Sequence, residues 1–381
     1  MENLELYLRP VDFSEFVGRN SSSTKYSLGN LLEKNSEKLP LEKAKIVIIG
    51  IEEDRNAVVK GSSKAPDAIR KYLYDLNRIT PRLKILDLGN IYPGQRVDDS
   101  YFALGDVLRE LLSKKIVTVV LGGSQDLTFG ISKVFDNGFS LVNIDPRIDM
   151  EKGSKSINSE NYLNLLFRNN ANLLNQAILG YQNYFTDNVD IDYIKACGVE
   201  VERLRQLRHN MKEAEPYMRD ADVVSFDINS VRYLEAPAQY FASPNGLYAE
   251  EACQIARYAG IGNNVKIGGF FNLIPNLDQN DISAKLMAQI IWHFIEGFYY
   301  RLKEDPSEFG EYIVHMEDMN DLELRFYHSN KTDRWWMRIF DENTNTHKMV
   351  PCSSSDYIQA SHQEIPDRWW RNMRKFRKKT D

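Results

Sequence analysis

Three clusters of polar side chains lie at the ends of short apolar runs. Residues 122–126 read GGSQD directly after the run that ends at Leu121, and residues 145–149 read DPRID after the run that ends at Ile144. A third cluster, SFDIN at 225–229, belongs to another apolar run. Carboxylates that share a cleft could act as catalytic acids. Whether they share one depends on the elements that carry them.

The apolar runs alternate with amphipathic helical patterns. Near-continuous runs rich in β-branched residues are typical of buried parallel strands. The predicted strands are 46–51 (IVIIGI), 83–88, 116–121 (IVTVVL), 141–144, 177–180, 223–228 and 265–270. Alternating strands and helices predict a doubly wound, mainly parallel sheet in a three-layer αβα domain. Sites in such sheets form at the carboxyl ends of the strands, so the three clusters should line one cleft.

In order and context, the clusters resemble motifs of the ureohydrolases, the family of arginase, agmatinase and formimidoylglutamase. The family motifs read GGDHS, DAHxD and SxDxD at these three places. Further segments are similar to family motifs in the same order: 61–70 (GSSKAPDAIR), 235–237 (EAP), 243–247 (SPNGL) and 274–278 (IPNLD). The resemblance covers residues 40 to 300 approximately and implies an arginase-like fold.

The resemblance also implies a metal site. The family holds two Mn²⁺ ions with two histidines and four aspartates, and the metals lower the pKa of a water that attacks a guanidino or imino carbon. The family's ligand positions fall on Gln125, Asp145, Arg147, Asp149, Asp227 and Asn229, and its acid near the NP motif falls on Asn272. Three of the six ligands are therefore retained, all of them aspartates.

The total charge at these ligand positions indicates whether metal ions can bind there. Three aspartates and Arg147 sum to −2, whereas four aspartates offset the +4 of two Mn²⁺ ions. A guanidinium at ~4 Å from a divalent ion, at an effective dielectric near 20, repels it by about 4 kcal/mol for each pair of unit charges. We therefore expect Arg147 to bridge Asp145, Asp149 and Asp227 through charge-assisted hydrogen bonds, with no metal cofactor and no assigned catalytic residue. If any metal remains, the same three aspartates are its candidate ligands.

The chain is predicted to have three parts: an N-terminal extension (1–40), a ureohydrolase-like domain (41–302) and a C-terminal extension (303–381). Residues 323–342 (ELRFYHSNKTDRWWMRIFDE) predict a β-hairpin. Seven of the twelve residues from 368 to 379 are basic. This tail could dock on the acidic body, bind a protein, or contact nucleic acid or anionic lipid. The candidate interaction residues are Trp335, Trp336, Trp369, Trp370, Arg371 and Arg374.

Composition sets broad limits. The chain has 381 residues, of which 43% are apolar, enough for a sizeable core, and a net charge of −6 argues against a general polyanion binder. Its three cysteines form no CxxC pair, which fits a reducing compartment. The sequence shows no signal peptide and no apolar stretch of 18 residues, so we predict a cytoplasmic protein without a membrane span.

Three functions remain open. The first is a catalytically degenerate ureohydrolase-like protein that acts by binding, as a scaffold or complex subunit, with a protein partner or as a homo-oligomer. The second is an active hydrolase of an amidine or guanidine C–N bond with a divergent site. The third is a sensor that binds a small molecule in the cleft without turnover.

Overall fold

One nine-stranded sheet runs through the body of the protein. The computed structural model describes residues 4–12, 26–30, 41–151, 156–169, 172–307, 310–319 and 322–377. The strands are β1 (Leu8–Arg9), β2 (Ile46–Ile51), β3 (Ile85–Ile91), β4 (Val117–Leu121), β5 (Phe139–Ile144), β6 (Leu173–Tyr181), β7 (Glu200–Arg203), β8 (Val223–Asp227) and β9 (Ile267–Phe271). Their order is β1-β3-β2-β4-β9-β8-β5-β6-β7. Only β1 pairs antiparallel within this sheet, so the predicted mainly parallel sheet is confirmed.

Helices cover both faces of the sheet. They are α1 (Ala65–Leu73), α2 (Val97–Ser113), α3 (Leu127–Ser132), α4 (Tyr162–Asn169), α5 (Asn188–Ala196), α6 (Leu204–His209), α7 (Ala214–Arg219), α8 (Ala249–Ile261) and α9 (Ile282–Tyr299). One apolar core joins the sheet to α1, α7, α8 and α9, and a second joins it to α2 and α3. The predicted three-layer αβα architecture is therefore confirmed.

A second sheet follows α9. It consists of β10 (Tyr312–Met319), β11 (Leu322–Ser329), β12 (Trp335–Asp341) and β13 (Thr346–Cys352), joined as consecutive antiparallel neighbours. The predicted hairpin corresponds to β11 and β12, and the flanking strands extend it to four. Two helices, α10 (Ser354–Ser361) and α11 (Asp367–Phe376), complete the C-terminal extension.

Buried ion pairs join this extension to the body. The guanidinium of Arg334, on the turn before β12, pairs with Glu215 at 2.9 Å and donates to the carbonyl of Ile261 at 2.8 Å. Arg219 at the end of α7 donates to the carbonyl of Trp335 at 2.6 Å. On the other side, Lys375 of α11 lies 3.2 Å from Glu200 of β7. The extension therefore packs tightly on the body.

The predicted N-terminal extension lies largely outside the described residues. Its described parts contact the body, because Leu8 pairs with Ile91 of β3 and the amide of Leu28 donates to the carbonyl of Leu76. Among the described residues, none of the helices has the length and apolarity needed to cross a membrane. The three-part division of the chain and its cytoplasmic location stay predictions.

Candidate metal centre

A tight turn after β4 positions Gln125. Gly122 and Gly123 both have positive φ angles, 78° and 73°. A Cβ atom on Gly123 would lie 2.6 Å from the carbonyl oxygen of Glu53, so this position has no room for a side chain. The turn leads into α3 and leaves Gln125 fully buried. Its side-chain nitrogen donates to Ser225 Oγ at 3.3 Å, and its backbone amide donates to Asn272 Oδ1 at 3.1 Å.

The three predicted aspartates come together at the carboxyl ends of β5 and β8. Asp145, Asp149 and Asp227 are between 1% and 4% exposed. Burial, and then the charges of Asp149 and Asp227, raise the pKa of Asp145 well above its usual range. Burial likewise raises the pKa of Asp149, although Arg147 acts in the opposite direction. The sequence prediction of one shared cleft therefore agrees with the geometry.

Amide groups hold Asp227. Its Oδ1 atom accepts hydrogen bonds from the backbone nitrogen of Asn229 at 2.8 Å and from the Asn229 side chain at 2.7 Å. Burial raises the pKa of Asp227, while the amides of Asn229 and Asn272 partly offset that rise. The Asn229 oxygen accepts from the backbone nitrogen of Phe241 at 3.1 Å, so both ends of this amide are engaged.

Arg147 does not bridge the three aspartates. Its guanidinium pairs with Glu160 at 2.8 Å and lies over the ring of Phe241, 4.8 Å from the ring centre. Its backbone nitrogen, not its side chain, donates to Asp145 Oδ1 at 2.8 Å. Within the described residues, no ion pair joins Arg147 to an aspartate of the cluster. The predicted bridging network is therefore wrong, because Glu160 provides a closer partner outside the cluster.

This pairing changes the charge balance of the site. Glu160 takes the ion pair of Arg147, although the charge of Arg147 still lowers the pKa values of Asp149 and Asp227. The three aspartates carry a charge of −3 when ionised, and Asp145 Oδ2 is buried without a hydrogen-bond partner in the described part of the chain. Three oxygen ligands of this kind fit one divalent cation. The amides and the guanidinium at the other family positions do not complete a site for two. As the side chains stand, no group of three or more His, Cys, Asp or Glu in the described ranges has the arrangement of a metal site.

Several residues around the cluster were not singled out from the sequence. Phe241 packs edge-on against Phe185, with ring centres 4.7 Å apart, and its ring contacts the guanidinium of Arg147. Burial and the charge of Asp149 raise the pKa of Tyr240. Behind the turn, Tyr101 donates to the buried carboxyl of Asp126. Apart from Asp126, none of these residues lies in a motif, and their roles follow from the loops that bring them together.

The predicted interaction residues of the extension differ in exposure. Trp335 and Trp336 are buried, and the ring of Trp336 stacks on the guanidinium of Arg219, 4.5 Å away. Trp369 is buried as well, and Arg371 pairs with Glu200 at 3.3 Å. The remaining two candidates, Trp370 and Arg374, are exposed on α11. The contacts agree with the basic tail docking on the acidic body. Its last residues lie outside the described ranges.

A parallel αβα sheet with an acidic cluster at its strand ends is the architecture expected of a ureohydrolase. The profile of the arginase family matches residues 44–296, two thirds of the chain. The chain belongs to the arginase family. Formimidoylglutamase of Staphylococcus carnosus is 23% identical over 250 residues, covering 62% of this chain and 79% of that protein. Formimidoylglutamase of Staphylococcus aureus is 23% identical over 310 residues, covering 76% and 92%.

Solved structures show the same fold. Formiminoglutamase of Trypanosoma cruzi with Mn²⁺ superimposes with a TM-score of 0.67 at 20% identity, covering 72% of this chain and 99% of that one. Formimidoylglutamase of Bacillus subtilis gives a TM-score of 0.65 at 20% identity, covering 76% and 98%. The Mn²⁺ in the Trypanosoma cruzi structure overturns our expectation that no metal cofactor belongs to this site.

Proposed function

We propose that this arginase-family protein binds one divalent cation at Asp145, Asp149 and Asp227 and acts by binding a protein partner, without hydrolysing an amidine or guanidine. When bound, the cation neutralises buried carboxylates and can lower the pKa of a water. The chain's own residues position the site: Asn229 and Asn272 form hydrogen bonds with Asp227, and Glu160 forms an ion pair with Arg147 outside the cluster.

The amide network around Asp227 is the observation that supports the loss of hydrolysis. In the two-metal chemistry, carboxylates and imidazoles hold both ions. Here the side-chain nitrogen of Asn229 donates to Asp227, and its side-chain oxygen accepts from the backbone amide of Phe241. A neutral amide is also a weaker ligand for Mn²⁺ than a carboxylate. A second ion would have to displace these hydrogen bonds, and Gln125 brings no charge to compensate.

The exposed face of α11 supports a role in protein binding. Trp370 is 48% exposed, and Arg374 lies one helical turn further along the same face. Tryptophan and arginine are the residue types that contribute most at protein interfaces. Because the rest of the extension is anchored to the body, this face of α11 would offer a rigid surface to a protein partner.

Metal binding and turnover test the proposal together. We expect calorimetric titration of the full chain with Mn²⁺ to give one site, lost in Asp149→Asn and retained in the surface control Asp192→Asn. With Mn²⁺ present, formiminoglutamate, agmatine and arginine should not be hydrolysed above the buffer rate. Failure of the wild type to bind Mn²⁺ would contradict the cation site.

The binding role needs its own measurement. Trp370→Ala combined with Arg374→Ala should abolish co-purification of specific partners, or dissociate a homo-oligomer, as seen by light scattering. The matched control replaces an exposed aromatic and an exposed arginine elsewhere, Tyr193→Ala with Arg205→Ala, and should change neither. Equal behaviour of the two double variants would count against the α11 surface.

An active hydrolase is the second candidate, favoured by the three clustered carboxylates and by the formimidoylglutamase relatives. It requires that the cation-bound site turn over one of the three substrates. Mn²⁺-dependent hydrolysis that disappears in Asp149→Asn but persists in Asp192→Asn would establish this function in place of the proposed one.

A further inference from the structure

A cavity lies between the body and the C-terminal extension, away from the aspartate cluster. Its volume is about 250 Å³, just below the ~300–1,000 Å³ range of small-molecule sites. One wall comprises the beginnings of β5, β6 and β7 together with the end of α7, and the other comprises β13 and α11. The cavity thus lies at the amino ends of these strands, whereas the aspartate cluster lies at their carboxyl ends.

Most charged groups of the cavity are paired within the protein. Glu200 lies 3.2 Å from Lys375 and 3.3 Å from Arg371. The guanidinium of Arg368 lies 3.1 Å from Asp356 and packs over a tyrosine ring. These charges neutralise one another and hold the two walls together.

Two charges of opposite sign remain, one on each wall. Asp220 on the body and Lys348 on β13 both line the cavity and are solvent-accessible. Neither forms an ion pair or side-chain hydrogen bond within the described ranges. Because Asp220 has no ion-pair partner there, its carboxylate is available to a cationic ligand group at the cavity.

Apolar side chains make up most of the remaining lining, and the polar ones are Ser140, Asn175, Gln176 and Asn372. Val142 and Ala177 contribute to the body wall, and Val350, Pro351 and Phe376 contribute to the wall of the extension. A cavity that is lined by apolar residues, one acidic group and one basic group suits a ligand with an ammonium, a carboxylate and a hydrocarbon side chain.

We propose that this cavity binds a free α-amino acid with an apolar side chain, its ammonium on Asp220 and its carboxylate on Lys348. Because these two residues belong to different walls, the ligand would hold the extension against the body. The site is independent of the aspartate cluster and of any metal bound there.

Titration calorimetry of the full chain with L-leucine tests the proposal. Leucine should bind at one site, and each of Asp220→Asn and Lys348→Gln should weaken binding by about tenfold or more, since each removes a charge-assisted contact. Leucinamide, which lacks the carboxylate, and 4-methylpentanoate, which lacks the ammonium, should bind comparably weakly. Circular dichroism verifies that the variants fold.

Matched controls separate local effects from general ones. Asp192→Asn and Lys331→Gln change the same residue types at exposed positions outside the cavity and should leave the affinity for leucine unchanged. The proposal is overturned if leucine, valine, methionine and phenylalanine all give no binding heat at millimolar concentrations. It is equally overturned if leucine binds but neither cavity variant weakens it.

Discussion

At the scale of single residues, this site differs from its family in what its side chains bind. Two amides occupy positions where the family uses charged or imidazole ligands, and each is engaged by hydrogen bonds inside the protein. The guanidinium of Arg147 is directed to Glu160. The substituted side chains thus have partners inside the protein, while Gln125 Oε1 and Asp145 Oδ2 stay without hydrogen-bond partners among the described residues.

Restoring the family's ligands should restore metal affinity. In the triple variant Gln125→His, Arg147→His, Asn229→Asp, we expect Mn²⁺ to bind at least about tenfold more tightly, because a carboxylate and two imidazoles replace weak or repulsive groups. Mn²⁺ titration calorimetry gives the comparison. A triple alanine variant at the same positions is the control, since it removes the native groups without adding ligands. Equal affinities of the two variants would mean that the cleft geometry does not match the family's.

The sequence predicted which residues gather here but not how all of them are paired. Motif order placed Asp145, Asp149 and Asp227 at strand ends, which parallel topology then brings together. The partner of Arg147 could not be predicted, because Glu160 belongs to a loop and no motif marks it. A sum of charges over the motif residues alone also leaves out such loop partners.

At the scale of elements, one arginine joins the second sheet to the body. Arg334 is almost fully buried and donates to three backbone or side-chain acceptors, on Ile261, Leu302 and Asn263, besides its ion pair with Glu215. Its removal would leave several acceptors without donors, which is costly in a buried interface.

Arg334→Ala should therefore lower the free energy of unfolding by on the order of 3 kcal/mol. Arg338→Ala, on β12, is the matched control, because Arg338 is more exposed and its carboxylate partner, Glu323, is 3.9 Å away. That change should lower the free energy of unfolding by no more than about 0.5 kcal/mol. Urea denaturation of both variants gives the comparison, and similar losses would argue against Arg334 as the main anchor.

Strand prediction succeeded where burial was complete. The run IVIIGI at 46–51 coincides with β2, because every residue of this strand is buried. The strand β7 (EVER) was missed, since it lies at the sheet edge with charged, partly exposed residues. β10 was missed for a similar reason: His315, Glu317 and Asp318 interrupt its apolar pattern.

At the scale of the whole molecule, the buried carboxylate of Glu200 makes the contact between the body and the C-terminal extension sensitive to acid. Burial alone would raise the pKa of Glu200, but Lys375, Arg371 and Arg368 outweigh it and lower that pKa. A lowered folded-state pKa contributes stability above the unfolded-state value of about 4.3, and that contribution is lost as the pH falls through the folded-state pKa.

The free energy of unfolding should consequently decline below pH ~4.5, and less steeply in Glu200→Gln, which has no carboxyl to protonate there. Thermal unfolding of both proteins between neutral and acidic pH tests this expectation. Glu364→Gln, at an exposed position, should follow the wild type. A Glu200→Gln profile parallel to that of the wild type would show that this ion cluster does not control acid stability.

The contact between Arg219 and the second sheet has a consequence for synthesis. The buried guanidinium donates to the carbonyls of Trp335 and Cys352, which are 116 and 133 residues further along the chain. At ~5–20 residues per second, a ribosome needs about 3 to 10 s to extend the chain from the end of α9 to Cys352. During that time the guanidinium of Arg219 is paired with Glu215 but lacks one or both of its acceptors on the second sheet, so the final packing of α7 waits for the last strands to emerge.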